Sequence, residues 1–214
     1  MPDLLIELFS EEIPAGLQAQ AADSLKKLIT NGMVDAGLTY TDAAAFHTPR
    51  RLTLAVAGLS DLSPTNQEER KGPKVGAPEQ AIQGFLRGVG LIMEDLEIRD
   101  DKKGQVYFAK ITKPGRLASE IVAEVLEKTI RSFPWPKSMR WGNGSLRWVR
   151  PLQSILCLLS SDAETQIVPV EIDGILASNT TRGHRFMAPD TFMVTGFDDY
   201  ETKLKRAKVI LRAD

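Results

Sequence analysis

The chain has 214 residues, 43% of them hydrophobic and 26% charged, the balance of an ordinary globular protein with room for one large domain or two small ones. A formal net charge of −1 excludes a molecule that is basic throughout, so a nucleic-acid footprint would have to be a local patch. A single cysteine, Cys157, excludes an internal disulfide framework and points to a reducing compartment.

Residues 4–9 (LLIELF) are a compact apolar run that predicts an opening strand near the centre of a sheet. No basic n-region leads into a long apolar stretch, and no apolar run is long enough to span a membrane. The expected location is therefore the cytoplasm, without membrane attachment. Ser10 is placed to cap a helix with Glu11 and Glu12 in its first turn. The paired carboxylates read as charges that complement a helix dipole, with acid–base chemistry as the other reading. Leu17, Ala21, Leu25, Leu28 and Ile29 recur at helical spacing, predicting a helix from Ala15 that stops near Gly32 or Gly37. Residues 52–59 alternate as a strand does, with Arg50 and Arg51 at its entrance; neighbours on a strand point to opposite faces, so only one of the two can share a site. His47 has no second histidine or cysteine at ligand spacing, and no metal site is predicted.

Residues 60–78 are polar and broken by prolines and glycines, which predicts a long surface loop and a weak domain boundary. Lys71-Gly72-Pro73-Lys74 lacks the Gly-Lys-Ser/Thr ending of a phosphate loop. A helix is predicted over 79–89, burying Ala81, Ile82, Phe85 and Leu86. A hairpin follows, from 96–98 and 106–111 across a turn at 100–104. Residues 117–130 form an amphipathic helix with Leu117, Ile121, Val125 and Leu126 on its apolar face. Residues 155–159 are a buried strand or a short helix, with Cys157 as an inert thiol. Residues 167–172 form a strand that Pro169 assigns to an edge. The tail from Tyr200 to Asp214 turns helical and stops without a cap, which predicts a longer chain. The fold class is α+β, a mixed or antiparallel sheet with packed helices over residues 1–214, with two subdomains as an open alternative.

All three tryptophans, Trp135, Trp141 and Trp148, lie between residues 133 and 151, interleaved with Lys137, Arg140, Arg147 and Arg150. Tryptophan offers a wide rigid face and arginine a planar fork for phosphate or carboxylate. Pro134, Pro136 and Gly142 suit a fixed turn. Such a turn could follow a nucleic-acid backbone. Equally, the tryptophans are core plugs and the arginines pair with acids of the same fold. A further basic cluster, Arg182, His184 and Arg185, lies within residues 179–186.

Several segments, taken in order, resemble the beta-subunit family of the bacterial two-subunit glycyl-tRNA synthetase. They are 4–14 (LLIELFSEEIP), 48–52 (TPRRL), 72–73 with 77–87 (GP and APEQAIQGFLR), 137–142 (KSMRWG), 149–151 (VRP) and 181–186 (TRGHRF). Gln153 departs from the pattern, which has a tryptophan after the Arg-Pro pair. The resemblance spans the chain and implies the N-terminal region of a longer multidomain subunit, its anticodon-binding module lying beyond this chain. It further implies an α2β2 enzyme in which the alpha subunit holds ATP and Mg²⁺ and activates glycine, while the beta subunit is needed for tRNA-Gly binding. No catalytic residue, cofactor or metal is then expected within this chain.

Two roles stay open on that resemblance. In the first, Arg50, Lys137, Arg140, Arg147, Arg150, Arg182 and Arg185 neutralise tRNA phosphates, Trp141 or Trp148 stacks on an unpaired base, and His184 donates to a phosphate or 2′-hydroxyl. In the second, the same residues dock the alpha subunit or the rest of beta. Hydrolytic editing ranks below both, because glycine is the smallest amino acid and no nucleophile–base pair is legible.

Overall fold

The computed structural model describes residues 1–101, 104–161 and 163–212. They form two compact units, one of residues 1–63 with those from Arg116 onward, the other Pro64–Gly115. The first unit opens with β1 (Asp3–Ser10), α1 (Ala15–Asp35), β2 (Asp42–Thr48) and β3 (Arg51–Ala57). The second comprises β4 (Asn66–Lys74), α2 (Glu79–Val89), β5 (Leu96–Asp101) and β6 (Gly104–Lys113). The first then resumes with α3 (Ala118–Arg131), β7 (Met139–Arg140), β8 (Arg147–Trp148) and β9 (Leu152–Ser160). It closes with β10 (Thr165–Ile167), β11 (Glu171–Ile172), β12 (Ile175–Ser178), β13 (Thr180–Arg182), β14 (Thr191–Met193) and α4 (Phe197–Arg206). This is the expected α+β class, and the sheets are mixed or antiparallel. No helix among the described residues is long and apolar enough to cross a membrane.

In the first unit β1 is central, as its apolar run predicts, within the order β11-β12-β9-β1-β3-β2. It pairs antiparallel with β3 and β9, setting Ile6 opposite Leu54 and Cys157. β10 and β12 share the far edge of β9, and β12 is the parallel neighbour. Because side chains alternate across a strand, Leu4, Ile6 and Leu8 join the core under α1 and α3, while Leu5 faces the core under α4. Leu25, Ile29 and Met33 of α1 and Ile121, Val122 and Leu126 of α3 are fully buried there. The two helices approach closely at Gly32, where an added Cβ would meet Val125 Cγ1 at 2.6 Å. At the interruption the chain is pinned on both sides. Ser63 N–H donates to Arg116 O at 2.9 Å, Arg116 N–H to Ser63 Oγ at 2.9 Å, and Ala118 N–H to Asp61 O at 2.8 Å.

The second unit is an antiparallel β4-β6-β5 sheet with α2. The predicted hairpin is present as β5 and β6, with Lys102 and Lys103 of its turn outside the described residues. Residues 66–74, expected as loop, form a strand. Their polarity is that of a solvent face whose charges pair across strands, which a hydropathy reading takes for a loop. Glu68 meets Arg70 at 2.7 Å and Lys113 at 2.8 Å, and Arg99 bridges Glu69 and Glu97. Lys113 and Arg70 hold the Glu68 carboxyl down at about 2. A depressed carboxyl adds stability above its unfolded value and loses it as pH falls through the folded one. In a carbon-detected NMR titration at low salt Glu68 is therefore expected to stay ionised down to pH of about 2. A midpoint in the usual carboxylate range would show that the pairs do not persist in solution.

Other expectations are corrected. Ser10 is not a helix cap: it ends β1, its N–H donating to Arg50 O, and α1 starts behind Pro14. Glu11 and Glu12 thus precede the helix, and its first turn holds no acid. Of the α2 residues expected inside, only Leu86 is buried; Ile82 and Phe85 are half-buried and Ala81 is exposed. Leu117 lies just before α3 and is 51% exposed. Residues 155–159 are strand, within β9. The run 167–172 breaks around Pro169 into β10 and β11, since proline has no N–H for a ladder. α4 begins earlier than the tail helix expected from Tyr200 and ends at Arg206; Ala213 and Asp214 lie outside the described residues.

Candidate functional site

One end of the large sheet gathers residues 10–14, 49–51, 150–153 and 182–186. The backbone ties them: Glu11 N–H donates to Pro151 O at 3.0 Å and Ile13 N–H to Pro49 O at 2.6 Å. Beneath them the second face of the sheet carries a polar row. Glu7, fully buried, accepts from Arg51 Nε at 3.0 Å, Thr181 Oγ1 at 2.6 Å and Tyr200 OH at 2.5 Å. Thr53 Oγ1 lies 2.9 Å from Tyr200 OH, and Arg51 also donates to Arg182 O. Burial, with the Glu7 anion beside it, raises the Tyr200 phenol well above its ordinary value. A buried carboxylate with this many donors and a cation is satisfied rather than reactive. The group fastens β13 and α4 to the sheet.

Above that row Arg50 and Arg185 turn toward Glu11 and Glu12. Arg50 lies 3.5 Å from Glu11 Oε1 and donates to Ser10 O and to Gln153 Oε1, each at 3.3 Å. Gln153 also donates to Glu11 Oε1, so its amide links the two charges. Burial lowers the Arg50 pKa against the pull of Glu11. Arg185 sits 3.8 Å from Glu12 Oε1 and 4.0 Å from Glu11 Oε2, and Arg150 Nε donates to Glu12 O at 3.1 Å. Glu11, Glu12, Arg150 and Arg185 line an open cleft of about 630 Å³.

The tryptophan–arginine stretch divides. Trp135 and Trp148 enter the core with Phe133, ring centroids 4.8 to 5.0 Å apart. Trp148 is 1% exposed, so no base can stack on it in this conformation. Trp141 is half-buried, its Nε1–H donating to Trp148 O at 3.0 Å. Lys137, Arg140 and Arg147 stay exposed. Arg140 and Arg147 face each other across the β7–β8 ladder, an arrangement that like charges disfavour. Neither they nor Lys137 has an acidic partner among the described residues, and Arg147 donates only to Ser138 O at 3.2 Å. The loop between β7 and β8 is tied down by Asp173, which accepts from Leu146 N–H at 2.6 Å and Ser145 Oγ at 3.0 Å. The Leu146 N–H holds the Asp173 carboxyl below its usual range.

Of the predicted site residues, Arg50, Arg150, Arg182, His184 and Arg185 meet at the sheet end, while Lys137, Arg140 and Arg147 belong to the β7–β8 hairpin. His184 Nδ1 accepts from Phe186 N–H and Met187 N–H, each at 3.2 Å, so this nitrogen shapes its own loop. Glu7 and Arg51 were not singled out as a pair. The available signal was a lone acid inside an apolar strand, which needs a buried partner. Among the described residues no group of three or more His, Cys, Asp or Glu side chains is arranged to hold a metal ion.

Sequence comparison places the chain among aminoacyl-tRNA synthetase subunits. A family model described as "Glycyl-tRNA synthetase beta subunit" matches residues 4–214, and the chain belongs to that family. It is 68% identical over 213 residues to the glycine–tRNA ligase beta subunit of Paracoccus denitrificans, covering 100% of this chain and 31% of that protein. The corresponding Cereibacter sphaeroides subunit is also 68% identical, with the same coverage. That of Dinoroseobacter shibae is 64% identical over 214 residues, covering 100% of this chain and 30% of that protein. The chain thus spans about 31% of the length of the curated relatives it matches.

Proposed function

We propose that the chain is the N-terminal part of a glycine–tRNA ligase beta subunit that supports joining of glycine to tRNA-Gly by touching the tRNA backbone. The enzyme would be a cytoplasmic α2β2 assembly, with ATP and Mg²⁺ held in the alpha subunit. The observation that carries tRNA contact is the Arg140–Arg147 pair with Lys137 nearby, exposed cations with no acid of their own among the described residues. Like charges held opposite each other raise the free energy of the isolated surface, and a bridging phosphate lowers it.

The test uses the full-length chain assembled with its alpha subunit. Doubly substituted Arg140→Ala/Arg147→Ala enzyme is expected to bind tRNA-Gly more weakly, and the slope of log affinity against log salt is expected to shallow by about 2, one phosphate per arginine. Unchanged affinity and slope would overturn the reading. Docking of the alpha subunit is favoured instead if the double variant keeps its tRNA affinity but loses subunit association in sedimentation. One observation speaks for that second role: Arg50 and Arg185 already lie near acids of this chain, which suits a rigid scaffold. Hydrolytic editing gains no support, since Cys157 is fully buried and burial pushes its thiol far up.

A further inference from the structure

With Trp135 and Trp148 in the core, the aromatic ring presented to solvent is Phe186. It is 81% exposed, the highest value among the large hydrophobic residues described. Single exposed apolar residues are common on protein surfaces, so this one gains its weight from the loop that holds it and the charges on the adjoining segments.

The loop that carries it is braced. β13 and β14 close its base, with Thr181 opposite Phe192. His184 N–H donates to Ala207 O at 2.9 Å, and Ala188 N–H to His184 O at 3.0 Å. The His184 imidazole accepts the Phe186 and Met187 N–H groups, which fixes the turn at the tip. Gly183 permits the seat on α4, because an added Cβ would meet Ala207 Cβ at 2.7 Å. The ring is thus held outward by a folded loop. The Arg185 guanidinium carbon lies 5.5 Å from the Phe186 ring centroid, within cation–π range.

The segments adjoining this loop carry exposed cations. Arg182 directly precedes the loop, and the loop is bonded to the end of α4, where Lys205, Arg206 and Lys208 are exposed. None of these four has an ion-pair partner among the described residues. The acids on these segments include Asp190 in the loop itself, Glu11 and Glu12 opposite Arg185, and Glu201 of α4, which is paired with Arg212 at 2.7 Å. An exposed aromatic ring on a braced loop, with exposed cations on the adjoining β13 and at the α4 end to which the loop is bonded, matches a nucleotide, with the ring taking a base and the cations its phosphates. An apolar protein partner would instead have to desolvate these cations.

We infer that Phe186 is a stacking residue for an unpaired base of the bound tRNA, with Arg182, Lys205, Arg206 and Lys208 supplying phosphate contacts. This rests on the tRNA-contact reading above and adds a second contact to it. The test again uses the full-length assembled enzyme, with tRNA-Gly transcript as the probe. Phe186→Ala and Phe186→Leu are each expected to weaken binding about tenfold with an unchanged salt slope, because stacking releases no counterions. Phe186→Trp is expected to retain affinity, since it keeps an aromatic face. Thermal stability is expected to stay put in all three, the ring being exposed. A photoreactive benzoylphenylalanine at position 186 is expected to crosslink to the tRNA.

If Phe186→Ala binds normally and no crosslink forms, while Arg140→Ala/Arg147→Ala still shallows the salt slope, the stacking inference falls and tRNA contact stands. If neither variant changes binding, both fall. If Phe186→Leu behaves like the parent, the loop needs only an apolar side chain and stacking is overturned. Loss of alpha-subunit association in Phe186→Ala, with tRNA affinity unchanged, would make the loop a protein anchor and also overturn it.

Discussion

Replacing Glu7 by alanine is expected to cost the first unit about 3–5 kcal/mol, a large share of a domain's stability. The carboxylate has no exposure, and the Arg51 side chain beside it is 4% exposed. Removing the acid leaves a guanidinium in the interior without its counter-charge. The Thr181 hydroxyl also loses its acceptor, and the Tyr200 hydroxyl keeps only Thr53. Because Thr181 and Tyr200 belong to β13 and α4, the damage is expected to spread to the loop of His184 and Phe186. Urea unfolding followed by circular dichroism measures the loss, and hydrogen exchange at residues 181–184 locates it. Adding Arg51→Ala to Glu7→Ala is expected to cost less than the sum of the single changes, as the stranded charge goes too. A loss of under about 1 kcal/mol for Glu7→Ala would mean that water reaches the pair, contrary to its burial.

Trp148→Ala is expected to be of similar size, about 3–5 kcal/mol, through an unfilled cavity beside Phe133 and Trp135. Trp148→Phe is expected to cost far less. Phenylalanine keeps an aromatic body and removes an indole N–H that is buried without a partner among the described residues. The contrast separates the two sequence-based readings of this tryptophan. A residue that stacked on a base would lower tRNA affinity and leave the urea midpoint in place. The core residue seen here lowers the midpoint of the unit, and any effect on tRNA follows unfolding. An unchanged midpoint in Trp148→Ala would contradict its position in the structure.

The elements legible in the sequence are those with clear periodicity or a continuous apolar run: β1, α1, β3, α2, the β5–β6 hairpin and α3. β2 escaped because Asp42-Ala43-Ala44-Ala45 carries little of the β-branched or aromatic bulk that marks strands. β4 escaped because its charges are satisfied by residues of β5, across the intervening β6, in pairs 30 residues apart. The motif segments of the site were legible singly. Their meeting at one sheet end was not, since it follows from the β9-β1-β3 order, which local spacing does not encode. The tryptophans drew the eye by type alone. Burial puts Trp135 and Trp148 on the core-plug side of the two readings, and the ring left outside is Phe186, a single phenylalanine with no distinguishing local pattern.

The backbone clamp between Ser63 and Arg116 makes the middle unit a cassette. The chain leaves the large sheet and comes back at one doorway, whose two jambs are hydrogen-bonded to each other. Strand order in the sheet is therefore indifferent to what hangs between those residues. The cassette can grow, shrink or change its surface while β3 keeps its register on β1, because the two jambs hold each other whatever lies between them.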